Sequence, residues 1–228
     1  MARTFFIAGT DTDVGKTLIA RGLLAAANQQ GLSTAAIKPV AAGCSETPEG
    51  LRNEDALLLQ QAMSLELGYE QVNPVALKPA VAPHIAAQQA GKRLMVAQLA
   101  GYCRGVLMQR ADVTLIEGAG GWRVPLNSVE TMAGLAKELN LPVILVVRIK
   151  LGCINHALLT AEAIANDGLP LGGWVANCLE ADMPCYEENI ATLKSLIRAP
   201  CLGVVPALES PTAEAVSAYL SLNSALNS

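Results

Sequence analysis

The sequence predicts an α/β fold, a mostly parallel sheet flanked by helices and formed by residues 1–228 as one domain. Three observations predict it. Short apolar runs alternate with segments of helical periodicity along the chain, the pattern of right-handed βαβ crossovers. The composition is 52% hydrophobic but only 4% aromatic, so the core is carried by Ala, Leu and Val, which suits helices packed on both faces of a buried sheet. A glycine-rich segment also joins the first apolar run to the first helical one.

Taken in order, strands are expected at Thr4–Ala8, Thr34–Ile37, Val113–Ile116, Val143–Val147, Trp174–Ala176 and Leu202–Val205. Between them, helices are expected at Lys16–Gln30, closed by Gly31, and then at Asp55–Met63, Met95–Arg110 and Met132–Leu139. Two more follow, Ile154–Asp167, closed by Gly168, and Tyr186–Ile197. Ala41 to Asn53 and Gly68 to Arg93 are rich in Gly, Pro and polar residues and read as active-site loops with a short helix. In such a sheet the ligand crevice lies at the carboxyl ends of the strands, so chemistry is sought just after each strand.

The segment Gly9-Thr10-Asp11-Thr12-Asp13-Val14-Gly15-Lys16-Thr17 meets this condition first. A loop that glycine lets curl, followed by a helix N-terminus, turns backbone N–H groups toward a polyphosphate; Lys16 neutralises phosphate charge and the Thr17 hydroxyl is a magnesium ligand. This is a phosphate-binding loop of the P-loop NTPase type, with one residue more than the usual G-x-x-x-x-G-K-[ST] spacing, and a nucleoside triphosphate is the expected ligand.

Other strand ends add polar groups. Lys38 follows the second strand, either beside Lys16 in an anion site or as a solvated strand cap. Glu117, in Glu117-Gly118-Ala119-Gly120-Gly121, has the form of a magnesium-holding carboxylate before a flexible turn. Asp55 is either a second magnesium carboxylate or an acid facing the positive end of its helix. The loop from Arg148 to His156 enters another helix and offers N–H groups to a carboxylate. Asn177 ends a strand with an amide that can donate and accept together, as an adenine edge requires. His84 and His156 receive no role.

A formal charge of −4 argues against a broad nucleic-acid surface, and the longest apolar run, Leu141 to Val147, is too short to span a bilayer. No export signal precedes Asp11, and the six cysteines contain no C-x-x-C pair, so a cytoplasmic protein with reduced thiols is expected.

The motifs G-T-D-T-D-V-G-K-T at Gly9 to Thr17, K-P-V at Lys38 to Val40 and T-P-E-G-L-R-N-E-D at Thr47 to Asp55 are joined in order by three more. These are E-G-A-G-G-W at Glu117 to Trp122, G-C-I-N-H-A at Gly152 to Ala157 and G-W-V-A-N at Gly173 to Asn177. Together they resemble the dethiobiotin synthetase family. That resemblance implies conversion of 7,8-diaminopelargonate, carbon dioxide and ATP, with magnesium, into dethiobiotin, ADP and phosphate by a homodimer. It places Lys16, Lys38 and Thr12 at the reacting groups, and Thr17, Asp55 and Glu117 on magnesium. It gives the nucleotide to Asp13, Val14, Gly15, Lys16, Thr17, Leu18, Asp55, Glu117, Gly118, Ala119 and Gly120, with Asn177 on adenine and Pro206, Ala207 and Leu208 flanking the ring. The substrate falls to Ala42 and, across the dimer interface, to Gly152, Cys153, Ile154 and Asn155. Tyr186 is a lesser candidate for the same carboxylate. Ala42 stands where the family carries a serine, Asp13 where glutamate is common, and Cys178 where aspartate is common.

Three other functions share the loop type. A partitioning or septum-placement ATPase needs a further lysine near the loop start, and positions 10–14 hold none. A cobalamin-type amidation enzyme needs a glutamine amidotransferase domain. A paralogous ligase with an altered substrate is compatible with Ala42.

Overall fold

A computed structural model describes residues 2–180, 183–222 and 225. Its elements are, in chain order, β1 (Arg3–Gly9), α1 (Lys16–Gln29), β2 (Thr34–Ile37), β3 (Val40–Ala41), β4 (Ser45–Thr47), β5 (Gly50–Arg52) and α2 (Glu54–Ala62). They continue with α3 (Tyr69–Val72), β6 (Val75–Ala76), α4 (Pro83–Gln89), α5 (Val96–Leu107), β7 (Val113–Gly121) and α6 (Met132–Glu138). The C-terminal part holds β8 (Val143–Arg148), α7 (Cys153–Asn166), β9 (Leu171–Asn177), α8 (Tyr186–Leu196), β10 (Cys201–Val205) and α9 (Ala213–Ser217).

Six strands form one sheet in the order β10-β9-β8-β1-β7-β2, and every neighbouring pair in it is parallel. β1 therefore lies inside the sheet, between β8 and β7, and its carboxyl end delivers the phosphate loop to the middle of the sheet edge. Helices cover both faces, as the near-continuous apolar strands Phe5–Ala8 and Val143–Val147 require, since all of these residues are buried. The fold is thus the α/β architecture expected; α9 has no counterpart in the sequence reading, and the other helix and strand ends lie within three residues of it except in two places.

The first exception is β7. Glycines after Glu117 suggest a turn, yet the strand runs on through Gly121. The chain stays paired with β1, with Gly9 opposite Gly121 beyond a register irregularity between Ile7 and Gly9. Gly118 is small because the Phe6 ring lies on it: an added Cβ would stand 3.0 Å from Phe6 Cζ. Phe6 in turn meets Trp122 edge to face, with ring centroids 6.1 Å apart. Gly118 thus permits close approach inside a strand rather than a flexible turn, while Gly120 takes a left-handed conformation (φ 63°).

The second exception is the irregular region. Instead of loops with one helix, residues 40–52 form β3 and the β4–β5 hairpin, and residues 69–89 form α3, β6 and α4; β3 and β6 pair with each other. Segments of two to four residues have too little periodicity to be read from sequence.

Gly118→Ala should push Phe6 off its position and cost about 1–3 kcal/mol, the usual penalty for overpacking a closed site. Urea unfolding of the variant against the wild type measures it, and an unchanged midpoint would show that Phe6 can give way freely.

Candidate active site

The phosphate loop is held by backbone geometry and one amide. Gly15 (φ 87°) and Asp13 (φ 55°) both adopt left-handed conformations, which let the loop turn back on itself before α1 begins. Val14 is buried, and its carbonyl accepts a hydrogen bond of 2.8 Å from Asn177 Nδ2. The Asn177 amide also lies directly against the Cα of Gly15, leaving no room there for a side chain. Lys16 Nζ donates to the Asp11 carbonyl at 3.4 Å, closing the loop across its opening.

Opposite the loop, charged groups converge from three elements. Lys38, after β2, places Nζ 2.6 Å from Asp55 Oδ2 and 2.6 Å from Glu117 Oε1. Thr17 Oγ1 donates to the same Glu117 oxygen at 2.8 Å. Glu117 is 1% exposed at the inward side of β7, and its second oxygen, Oε2, is buried without a partner. Asp55 reaches the cluster from the first turn of α2, which Asn53 caps by accepting the Ala56 N–H at 3.3 Å. Asp55 is thus the first-turn acid of one expectation, and its carboxylate also meets Lys38 in the cleft.

These groups line a cleft of about 880 Å³. Thr12, Asp13, Gly15, Lys16, Thr17, Leu18, Lys38, Ala42, Asp55, Glu117, Ala119 and Gly120 all border it, as the sequence reading expects. Val14 and Gly118 lie behind its wall. Asn177, Pro206, Ala207, Leu208 and the segment Gly152 to Asn155 are outside this cleft in the single chain. Asn177 commits one N–H to Val14, and its Oδ1 is buried without a partner. At the start of α7, the Cys153 amide donates to the Lys150 carbonyl at 2.9 Å, so the N–H groups left for an anion there are those of Ile154 and Asn155. Arg21, Leu58, Val81, Pro83 and Val124 also line the cleft; none sits after a strand or in a motif, so the sequence carries no mark for them.

Comparison with known proteins supplies the family. A protein-family profile described as an AAA domain matches residues 3–215. The chain is 64% identical to the ATP-dependent dethiobiotin synthetase BioD of Cellvibrio japonicus (strain Ueda107), over 99% of this chain and 98% of that protein. It is 59% identical to the protein of the same name from Pseudomonas aeruginosa (strain UCBPP-PA14), over 96% of each. This chain belongs to the ATP-dependent dethiobiotin synthetase family. Among solved structures it resembles the septum site-determining protein MinD with Mg-ADP from Pyrococcus horikoshii (TM-score 0.56, 17% identity, 95% of this chain and 93% of that one). It also resembles chloroplast FtsY from Physcomitrella patens (TM-score 0.54, 17% identity, 100% and 64%). At such identities the likeness is one of fold.

Within this synthetase-family cleft the two lysines differ electrostatically. Burial and the neighbouring Lys38 charge hold the Lys16 ammonium below its ordinary value, because Glu117, Asp55 and Asp13 compensate only in part. Burial opposes the Lys38 charge as well, but the contacting carboxylates of Glu117 and Asp55 outweigh it and hold the ammonium above its ordinary value. Burial would raise Asp55, yet Lys38 beside it, with Thr17 and Lys16, keeps the carboxyl below the usual carboxylate range. The stability that Asp55 draws from the contact is therefore present above the unfolded carboxyl's ordinary value and lost as pH falls through the lower folded one. The share from Lys38 is present below the ordinary lysine value and lost as pH rises through the raised one.

Lys38→Met removes the charge but keeps the chain length. Carbon NMR of the Asp55 carboxyl should then show its titration moved to higher pH than in the wild type. An unchanged midpoint would mean that the ion pair does not set the Asp55 charge.

Proposed function

We propose that this chain, acting as one P-loop unit, catalyses the ATP-dependent carboxylation and ring closure of 7,8-diaminopelargonate with carbon dioxide to dethiobiotin, ADP and phosphate. The observation that carries this reading is the presence of two buried lysine ammonium groups in one cleft, which is one more than a nucleotide's phosphates call for. Family membership supplies the substrates. An amine of the substrate takes up carbon dioxide as a carbamate, and a carbamate oxygen attacks the γ-phosphorus and displaces ADP. The second amine then attacks the carbamic carbon and expels phosphate, closing the cyclic urea. Both partners of the phosphoryl transfer are anions, so fixed positive charge lowers the barrier where they meet.

In this arrangement Lys16 stands at the phosphates, Lys38 bridges toward the carbamate, and Thr12 and Asp13 border the space between. Leu18 and Gly15 with Ala119 and Gly120 shape its walls. The amides of Val14 to Leu18 face the phosphates, and Asn177 holds the loop that presents them while offering its unpartnered Oδ1 toward the base. Pro206, Ala207 and Leu208, after β10, flank the base.

Magnesium fits the residues present: Thr17, Asp55 and Glu117 bring hard oxygens together, and Glu117 Oε2 is a buried acceptor with no partner. When bound, the ion supplies charge neutralisation at the phosphates. Lys38 holds the same two carboxylates at 2.6 Å, so the residues that would bind the ion are also those that fix the ammonium.

The carboxylate of diaminopelargonate is assigned to Gly152, Cys153, Ile154 and Asn155 of a second copy, with Ala42 on the near side. That assignment requires a homodimer with the active site at its interface, because in one chain these residues lie outside the cleft. No helix among the described residues is long and apolar enough to cross a membrane. A cytoplasmic enzyme of small-molecule substrates, with no nucleic acid or membrane partner, fits this composition.

The test uses oxygen-labelled bicarbonate with ATP and diaminopelargonate in fresh buffer, sampled before exchange with water. One labelled oxygen should pass into inorganic phosphate in step with dethiobiotin, and unlabelled phosphate would overturn the route. Lys16→Ala and Lys38→Ala should each lower kcat by about 10²–10³ with the fold retained. Near-normal turnover in a folded Lys38→Ala protein would remove Lys38 from the mechanism.

A further inference from the structure

Behind the cleft, buried polar groups connect the backbone that carries Lys38 with the backbone that carries Asp55. The Lys38 carbonyl accepts a hydrogen bond of 2.7 Å from Asn73 Nδ2, and its N–H donates to the Val72 carbonyl at 2.8 Å. Asn73 Oδ1 accepts from the Tyr69 hydroxyl at 3.1 Å. The same hydroxyl accepts the Asn53 N–H at 2.7 Å, and Asn53 is the cap that starts α2 two residues before Asp55. Tyr69, Asn73 and Asn53 are all buried, and the Arg52 guanidinium lies over the Tyr69 ring, 4.2 Å from its centroid.

None of these three side chains lends an atom to the ion cluster. A relay serving only to satisfy buried groups could end anywhere, but this one ends on the backbone of Lys38 at one side and on the helix start of Asp55 at the other. Every group along it has a defined partner: the Tyr69 hydroxyl donates once and accepts once, and the Asn73 amide uses both of its ends. Two ion-pair contacts of 2.6 Å need their backbones fixed to a few tenths of an ångström, since a long lysine chain on a loose loop would leave the carboxylates for water.

We propose that Tyr69 and Asn73 are positioning residues of this active site, acting through the backbone of Lys38 and, via Asn53, through the start of α2 to hold Lys38 and Asp55 in register. The proposal rests on the reading of Lys38 above and adds two residues that touch neither nucleotide nor substrate. The phosphate loop is held separately by Asn177, so the relay reaches the nucleotide side only through Asp55.

Tyr69→Phe removes the hydroxyl and keeps the ring under Arg52. It should lower kcat at least about tenfold, and by more than it raises the KM for ATP at saturating magnesium, since small misplacements at a reacting group are costly in rate. In a Lys38→Met background the same substitution should cost clearly less, because the part of its effect carried by the ammonium has already been removed. If Tyr69→Phe fails to fold, Asn73→Asp keeps the acceptor for Tyr69 and deletes the donor to the Lys38 carbonyl, and the same measurements apply.

A readout independent of turnover is the nitrogen NMR signal of the Lys38 ammonium in lysine-labelled protein. It should be sharp in the wild type, protected by its two carboxylates, and broadened by water exchange in either variant. A folded variant with kcat within twofold of wild type, an additive loss in the Lys38→Met background, or an unchanged Lys38 signal would overturn the proposal. A wild-type protein that makes no dethiobiotin would sink the functional reading alone, and the NMR arm would still decide the positioning role.

Discussion

An ammonium group removed from water needs matching charge within hydrogen-bond distance, and at Lys38 this requirement organises the site. The side chain is 7% exposed, and of its two partners Glu117 is 1% and Asp55 44% exposed. Stripping one partner from a buried pair costs about 3–5 kcal/mol, because the remaining charge is left unmatched. The full figure applies to Glu117; the half-exposed Asp55 is screened by solvent and counts for less. Three elements are therefore tied to one point: the exit of β2, the interior of β7 and the first turn of α2. The approach of β7 to β1 through Gly118, and the capping of α2 by Asn53, are what the pair demands of the surrounding chain.

The sheet was legible because its strands obey simple rules. Val143–Val147 and Val113–Ile116 are short apolar runs, helices of a dozen residues separate most of the strands, and the glycine loop marks which strand carries the phosphate site. Lys16, Thr17, Lys38 and Glu117, which the structure brings to one cleft, were legible because each follows an apolar run, and Asp55 was legible as one of two alternatives. The Glu117 to Gly121 segment was misread as a turn because glycine reports freedom in sequence while reporting closeness in space, and the Phe6 ring that comes close is more than a hundred residues away. Tyr69 and Asn73 had a spacing of four and a following proline but no motif, and what makes them notable is the backbone they reach. Hydrogen bonds to a distant carbonyl leave no periodic trace in a chain.

The loop and the lysines also illustrate two ways of handling buried charge. Lys38 is paired in full by its own protein, whereas Lys16 is buried with only a carbonyl at 3.4 Å and distant carboxylates. A phosphate at Lys16, as proposed, would supply the partner that the fold withholds and so relieve a cost of burial already present in the protein. Asn177 makes the same economy on the neutral side: it fixes Val14 and Gly15 in advance, so the loop amides need no ordering when phosphate arrives.

The contrast implies a sequence of charge movements within the cleft. Lys38 cannot turn toward an anionic carbamate while both of its carboxylates hold it, and a bare swing would leave Glu117, at 1% exposure, unmatched. Thr17 already touches the Glu117 oxygen that Lys38 touches, and it lies in the first turn after the phosphate loop, so in the proposed mechanism a nucleotide with its cation would meet the group that must be compensated. Two carboxylates outnumber the one ammonium between them, so Thr17, Glu117 and Asp55 would suit a divalent cation, which would match both carboxylate charges and leave the ammonium available to a second anion. On the proposed mechanism, the same carboxylates that hold Lys38 would thereby couple occupation of the nucleotide side to readiness on the substrate side.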